Sequence, residues 1–203
     1  MTRYQMRLKE MKIKTFSLIE EYYPDVPDLA EDEDVINKIN GVVNQIIMDL
    51  MKYRKLPASK EVEIKEKDSK ILDLSELLAD CYQISNFYFG EEVVDYKMPN
   101  ETTLILPEEY VGTVTIYYYK FPKLAKTMFE NDDERTAEDN NFIFEQDPDI
   151  LEIMPYGIAA DLLKMDMISN YGSYFYQRYT ELKQMIDSRK TKGLVIITGG
   201  VDI

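Results

Sequence analysis

Between Ile36 and Leu50, apolar residues recur at Ile36, Ile39, Val43, Ile46 and Leu50, the spacing of one helix face. Val42, Ile47 and Met51 widen that stripe, which predicts a helix buried on more than one side. Gly41 lies inside it, where it invites close contact with a neighbouring helix but costs ~1 kcal/mol relative to alanine. The acids Glu31 to Asp34 suit the positive end of this helix, and Leu56-Pro57 ends it. A helix over 3–22 precedes it, with Met6, Ile13, Phe16, Ile19 and Tyr23 near helical spacing. Pro24 and Pro27 punctuate the turn between the two.

The period changes over 61–122. Glu61 to Lys67 alternates polar and apolar residues, as an edge strand does. Leu72 to Asp80 reads as a short helical turn or an extended corner. Cys81–Phe89 reads as a strand stopped by Gly90, followed by short strands at Val93–Lys97, Thr102–Pro107 and Val111–Phe121. Turn signals stand at Pro99-Asn100 and around Gly112. About five short strands rich in tyrosine, threonine, valine and isoleucine predict a small antiparallel sandwich or barrel. Residues 123–147 lack periodicity and read as a long acidic loop, with helical turns at Lys123–Phe129 and an apolar clip, Phe142-Ile143-Phe144, that docks on the body.

Asp147-Pro148 then has the form of an N-cap with proline at the first helical position. Leu151, Met154, Ile158, Leu162 and Met165 make the buried face of the next helix, which Pro155 is expected to kink or break around Pro155–Gly157. A second break falls at Tyr171-Gly172, and Phe175, Tyr179, Leu182 and Ile186 continue the stripe. The expected fold class is α+β. Two N-terminal helices pack on long C-terminal helices as a helical bundle body, and an antiparallel β-sandwich or barrel is inserted. The expected boundaries are 1–60 with 123–190 for the body, 61–122 for the insert and 191–203 for a C-terminal extension.

Composition narrows the chemistry. The chain has no histidine, no tryptophan and one cysteine, Cys81, so Ser-His and Cys-His pairs, an intrachain disulfide and a thiolate cluster are excluded. Its 16 tyrosines suit half-buried strands and subunit interfaces. The net charge of −14 disfavours adhesion to phosphate backbones. The charge is segregated: 20–34 holds eight acids and no base, and 130–149 holds nine acids against Arg135 alone. The start, with Arg3, Arg7, Lys9, Lys12 and Lys14, and the end, with Arg178, Lys183, Arg189, Lys190 and Lys192, are basic. Such segregation reads either as solvated faces or as head-to-tail complementarity between copies. No apolar run approaches the ~20 residues of a membrane span, and no signal-peptide core is present, so a cytosolic chain is expected.

Candidate sites are few. The stretch 131–141, with Asp132, Asp133 and Glu134, offers oxygen ligands but not the order of an EF-hand loop, so a solvated or partner-facing loop is expected and no metal. Gly199-Gly200 lacks the lysine and strand-to-helix context of a phosphate loop. Leu194, Val195, Ile196, Ile197 and Thr198 form a β-prone segment behind a Lys/Gly linker, suited to adding a strand to a neighbour's sheet edge. Asp161 and Asp166 read as the solvent face of their helix or as half of an intersubunit ion pair. The tyrosine clusters lack interleaved basic residues, which argues for packing over nucleic-acid stacking. No catalytic residue and no cofactor are expected.

The order of elements resembles the neck adaptor, or head–tail connector, proteins of tailed bacteriophages. The likeness rests on Asp34 to Ile46, on Leu104-Ile-Leu-Pro107 with Gly112 to Pro122, and on Asp149 to Leu163 with Tyr174 to Leu182. It implies a virion structural protein of the neck, made in the host bacterial cytoplasm. Its copies form a ring, often of twelve, that binds the portal, meets tail or other neck proteins and passes double-stranded DNA without reading its sequence. It also implies a C-terminal extension that docks into the portal. The contact candidates are then Leu194 to Thr198, the basic Arg189, Lys190 and Lys192, and the acidic Asp132, Asp133 and Glu134. The insert at 61–122 departs from purely helical members. A second reading is a β-sandwich ligand- or carbohydrate-binding module with helical flanks, and a third is a carboxylate-dependent hydrolase.

Overall fold

The strongly patterned helix starts where its cap sits. Asp32 is extended, and its carboxylate accepts hydrogen bonds from the Asp34 and Val35 amides at 2.8 and 3.2 Å. The computed structural model describes residues 5–22, 29, 31–164 and 171–188. Among them run α1 (Leu8–Tyr22), α2 (Glu33–Leu50), β1 (Leu56–Ile64), β2 (Ile71–Asp73), α3 (Leu74–Leu77), β3 (Cys81–Tyr88), β4 (Lys97–Asn100), β5 (Thr103–Ile105), β6 (Gly112–Lys120), α4 (Asp132–Asn141), α5 (Pro148–Lys164) and α6 (Tyr171–Ser188). The class is α+β. The chain divides into two units, one from the described parts of Met1–Tyr53 and Ala125–Ile203, the other Arg54–Leu124.

In the helical unit α5 is central and packs on α1, α2 and α6. That position explains its composition: Ile150, Leu151, Ile153, Met154, Ile158, Leu162 and Leu163 are buried on several sides, so no single stripe describes it. All but Leu163 share a core with Leu8 and Met11 of α1, with Ile39, Val43, Ile46, Ile47 and Leu50 of α2, and with Tyr179 and Ile186 of α6, while Leu163 packs with Ile19 and Phe175. Each such side chain stabilises the fold by about 1.5–3 kcal/mol through burial. Met165 lies outside the described residues.

Several expectations change here. α5 runs unbroken through Pro155 to Lys164. Proline removes one hydrogen bond, and the all-round burial of this helix offsets the loss. Gly41 faces open space, with nothing within 4 Å of a Cβ built there. The close approach is at Gly157 instead, where a Cβ would meet Tyr179 Cε2 at 2.8 Å and Ile46 Cδ1 at 2.9 Å. The acidic stretch read as a loop is α4, and Lys123–Phe129, read as helical turns, is not helical. The side chain of Asn131 accepts from the Glu134 amide at 2.9 Å, and Asp132, Asp133 and Glu134 occupy the first turn, where the helix dipole favours negative charge. The apolar clip does dock: Phe144 is buried, and the backbones of 142–144 and 6–8 bond as Leu8 N to Phe142 O and Phe144 N to Met6 O, both 3.1 Å.

The β unit holds two antiparallel three-stranded sheets, ordered β1-β6-β3 and β2-β5-β4, and neither closes into a barrel. One apolar cluster draws on both, with Ile64, Phe87, Val114 and Ile116 from the first and Leu104 from the second. β1 starts at Leu56, ahead of the alternation at Glu61, because its whole length pairs with β6 from Leu56↔Lys120 to Ile64↔Gly112. The strand expected at Val93–Lys97 lies later, at Lys97–Asn100, on a sheet edge where Pro99 loses no ladder bond. Its turn is Glu101-Thr102, where Asn100 Oδ1 accepts from the Thr102 amide at 2.9 Å. Gly90 follows β3 at φ +60, a conformation that suits glycine.

Candidate functional site

Three surfaces carry the side chains that chemistry or binding could use. Two belong to the helical unit and one to the β unit, and each is built by local rules.

The first is a polar cleft of about 550 Å³ between α2, α5 and α6. Asp49, in the last turn of α2, accepts from Tyr179 Oη at 2.9 Å and from Lys183 Nζ at 2.7 Å through the same Oδ2. Lys52 Nζ stands 3.8 Å from Oδ1, and Lys183 lies 4.6 Å from the centre of the Tyr179 ring. Burial opposes ionisation of Asp49, but the bonds from Lys183 and Tyr179 outweigh it and hold the carboxyl below its ordinary value. The same burial, with the Asp49 charge, pushes the Tyr179 phenol far above its ordinary value. Tyr179 and Lys183 are thus both occupied as donors to the same carboxylate oxygen. The cluster therefore ties α2 to α6. Gly157 lines the same cleft, and its missing side chain is what lets the Tyr179 ring reach Asp49. Asp161, on the cleft wall, pairs with Lys164 within its own helix at 3.0 Å. Asp166 lies outside the described residues.

The second is an open groove of about 540 Å³ between α1, α5 and α6. Leu18, Ile153, Tyr156, Leu182 and Met185 supply apolar walls, and Glu21, Asp149 and Glu152 stand with Lys14 and Arg178 around it. Met185 is 50% exposed. Arg178 is bonded to Glu181 along α6 at 3.1 Å. On α1, Lys12 is buried and pairs with Asp139 of α4 at 2.7 Å. Burial lowers the Lys12 ammonium from its ordinary value, and Asp139 offsets part of that shift.

The acidic candidates sit on α4 and divide by role. Asp132 is turned outward and pairs with Arg135 at 2.9 Å, and Asp133 is exposed. Glu134 points inward: it accepts from Lys126 Nζ and from the Glu130 amide, the latter at 2.8 Å. The Lys126 bond, first among its causes, keeps the Glu134 carboxyl below its ordinary value. Glu134 is thus a staple between 126–130 and α4, and only Asp132 and Asp133 remain as outward charge. Among the described residues no group of three or more His, Cys, Asp or Glu could hold a metal ion. Arg189, Lys190, Lys192 and Leu194 to Thr198 lie outside the described residues.

The third surface is the outer face of the β1-β6-β3 sheet. Val114, Ile116 and Tyr118 of β6 point inward and are buried. Tyr118 Oη donates to Asp80 Oδ1 at 3.1 Å, and burial with that carboxylate raises its pKa. The alternate positions, Thr115, Tyr117 and Tyr119, point outward. Register irregularities between Cys81 and Gln83 and between Ile84 and Asn86 bring Gln83, Asn86 and Tyr88 opposite them on the same face. Tyr117 stands between Ser59 of β1 and Asn86 of β3 and is 47% exposed, and Tyr88 is 56% exposed. Lys55 Nζ lies 5.1 Å from the Tyr119 ring centre and 5.8 Å from that of Tyr82, which meets Phe121 edge to face at 5.3 Å. The Tyr117-Tyr118-Tyr119 run thus splits, one ring for the core and two for the outside, as a strand period requires.

Sequence reasoning missed Asp49, read Lys183 only as part of the basic end and read Gly157 only as part of a break. The signal for Asp49 was present, since an acid in the last turn of a helix opposes the dipole and needs a partner. The chain also contains no helix, among the described residues, long and apolar enough to cross a membrane. No protein-family model matches the chain, and no curated protein matches it either.

Proposed function

We propose that the protein is a non-enzymatic assembly component, a head–tail connector of a tailed bacteriophage. Its copies close into a ring in the virion neck, bind the portal and pass DNA. In this reading the helices form the ring body as a bundle, and the two sheets form a small sandwich. The observation that supports it best is the outer tyrosine face of the β1-β6-β3 sheet. Exposed Tyr88 and Tyr117, with Tyr119, Tyr82 and Phe121, offer large rigid apolar area at a low entropy cost. The fold does not consume this area, so a partner surface is its natural use. Outward Asp132 and Asp133 would keep a DNA path repellent to phosphate.

The Gln83 and Asn86 amides beside those rings favour a second reading, a carbohydrate-binding face, since rings supply stacking and amides supply hydrogen bonds to hydroxyls. One experiment separates the two. The purified chain is examined by analytical ultracentrifugation and negative-stain imaging, alone and with a portal ring from the same genome, and by glycan-array binding. Closed rings or decorated portals are expected, and Tyr117→Asp should raise the assembly concentration at least tenfold, about 1.4 kcal/mol. A chain that stays monomeric, ignores portals and binds glycans sinks the connector reading and supports the second.

A further inference from the structure

The β unit holds a further cavity, of about 690 Å³, lined by backbone as much as by side chains. Cys81, Tyr82, Gln83 and Ile84, four consecutive residues of β3, form one wall. Side chains of a strand alternate between faces, so a wall of consecutive residues is a strand's edge. β3 is the outer strand of its sheet and pairs only with β6. The other walls are α3, with Leu74 and Leu78, and the β4–β5 turn, with Glu101 and Thr102. We infer that this slot takes an extended segment of a partner protein, added to β3 as a further strand, with a basic side chain set toward Glu101. The inference goes beyond the connector reading, concerns the β unit alone and does not depend on ring closure.

The backbone, the walls and the charge point the same way. An edge strand turns the amide and carbonyl of every second residue away from its partner, ready for another strand. The register irregularities at Cys81/Gln83 and Ile84/Asn86 leave Tyr82 and Ser85 without a residue opposite them on β6. The Gln83 amide meets the Cys81 sulfur, a weak acceptor that a peptide carbonyl can displace. The walls are fixed within the unit: Leu74 N donates to Thr102 O at 2.7 Å, and Cys81 N donates to Leu78 O at 2.9 Å. Leu74 and Leu78 are buried, and Tyr82 and Met98 are 42% and 37% exposed, so apolar surface runs from floor to rim. Glu101 is the only charged residue among those lining the slot, and among the described residues no lysine or arginine pairs with it. That carboxylate favours a cation in the occupant and repels an acid. Strand addition of this kind draws affinity from the main chain and specificity from alternate side chains. Four residues of β3 span about 13 Å, so a heptapeptide covers the wall, and its apolar and basic side chains two apart reach the slot together.

Capped heptapeptides test this on the full chain. They alternate threonine with valine, leucine or phenylalanine and carry arginine, glutamine or glutamate at one of the apolar positions. Binding is followed by fluorescence anisotropy and by backbone amide shifts in NMR spectra. Arginine peptides should bind about tenfold tighter than glutamate peptides, with the shifts gathered at 74–84 and 98–102. Of the two alternate sets of peptide amides, methylating one should weaken binding about tenfold and methylating the other should leave it unchanged, because only one edge of an added strand faces β3. Glu101→Arg, at an exposed turn position, should invert the charge preference without moving the thermal midpoint. The inference is overturned if no peptide binds below about 1 mM. It is overturned equally by binding that ignores methylation of both sets, which marks a site for side chains or small molecules, and by an arginine preference that survives Glu101→Arg. Dimers of the chain that exclude the peptides would give the slot to a second copy and overturn it as well.

Discussion

The helical unit and the β unit divide the labour of folding and display differently. The helical unit joins two stretches of chain separated by the whole β unit, and its contacts are between residues far apart in sequence. Asp49 reaches Tyr179 and Lys183, Lys12 reaches Asp139, and Gly157 makes room for a ring. The β unit is one continuous stretch, and its strands sort their side chains by simple alternation. One face of β6 fills the core, and the other holds tyrosines outside. Where contacts are long-range, fit decides stability. Where they follow alternation, the outward face is free to vary and can serve a partner.

That contrast yields graded tests, each read by thermal or denaturant unfolding. Leu151→Ala should be the most damaging, a loss of about 2–5 kcal/mol, because the residue is fully buried in the helical core. Gly157→Ala should cost about 1–3 kcal/mol even though alanine is the better helix former. The added carbon falls inside contact distance of Tyr179, whose ring is held by Asp49. A stabilised Gly157→Ala variant would show that the helices can part without cost. Asp49→Asn should cost about 1 kcal/mol near neutral pH, discounted because the carboxylate is partly exposed.

The Asp49 effect has a defined sign with pH. Its folded carboxyl lies below the ordinary 3.8, so the unfolded chain binds more protons as pH falls. The contribution is complete above that value and is lost as pH drops through the lower folded one. The Asn variant should lose less stability over the same acid range, and parallel acid titrations of the two proteins would contradict the tie. Gly41→Ala should run the other way, a gain of about 0.5–1 kcal/mol, since the site is helical with open space around it. Tyr117→Ser should change stability least, by no more than about 0.5 kcal/mol, while weakening assembly. A large loss from Tyr117→Ser would assign that ring to the fold instead of to a partner.

Local rules explain what could be read from the chain. The 3-4 stripe of α2 gave its buried face, Asp147-Pro148 gave the start of α5, and β-prone composition with the turn signal at Gly112 gave β6. The readings that failed had a local cue overruled or unrecognised. Pro155 signals a break, yet burial of α5 on several sides carries the helix through it. The acids of 131–141 look like a solvated loop because the helix there has no buried face, and only its cap at Asn131 betrays it.

The α+β class, the buried stripe of α2, the start of α5 and the −14 charge were thus set by the sequence alone, because periodicity, capping and composition act over a few residues. Which glycine sits at a helix crossing, which acid meets a distant lysine, and where the open grooves lie were decided only in the tertiary structure. Those facts depend on pairs such as Asp49 and Lys183, which packing brings together although the β unit lies between them in the sequence, and no local window contains both partners.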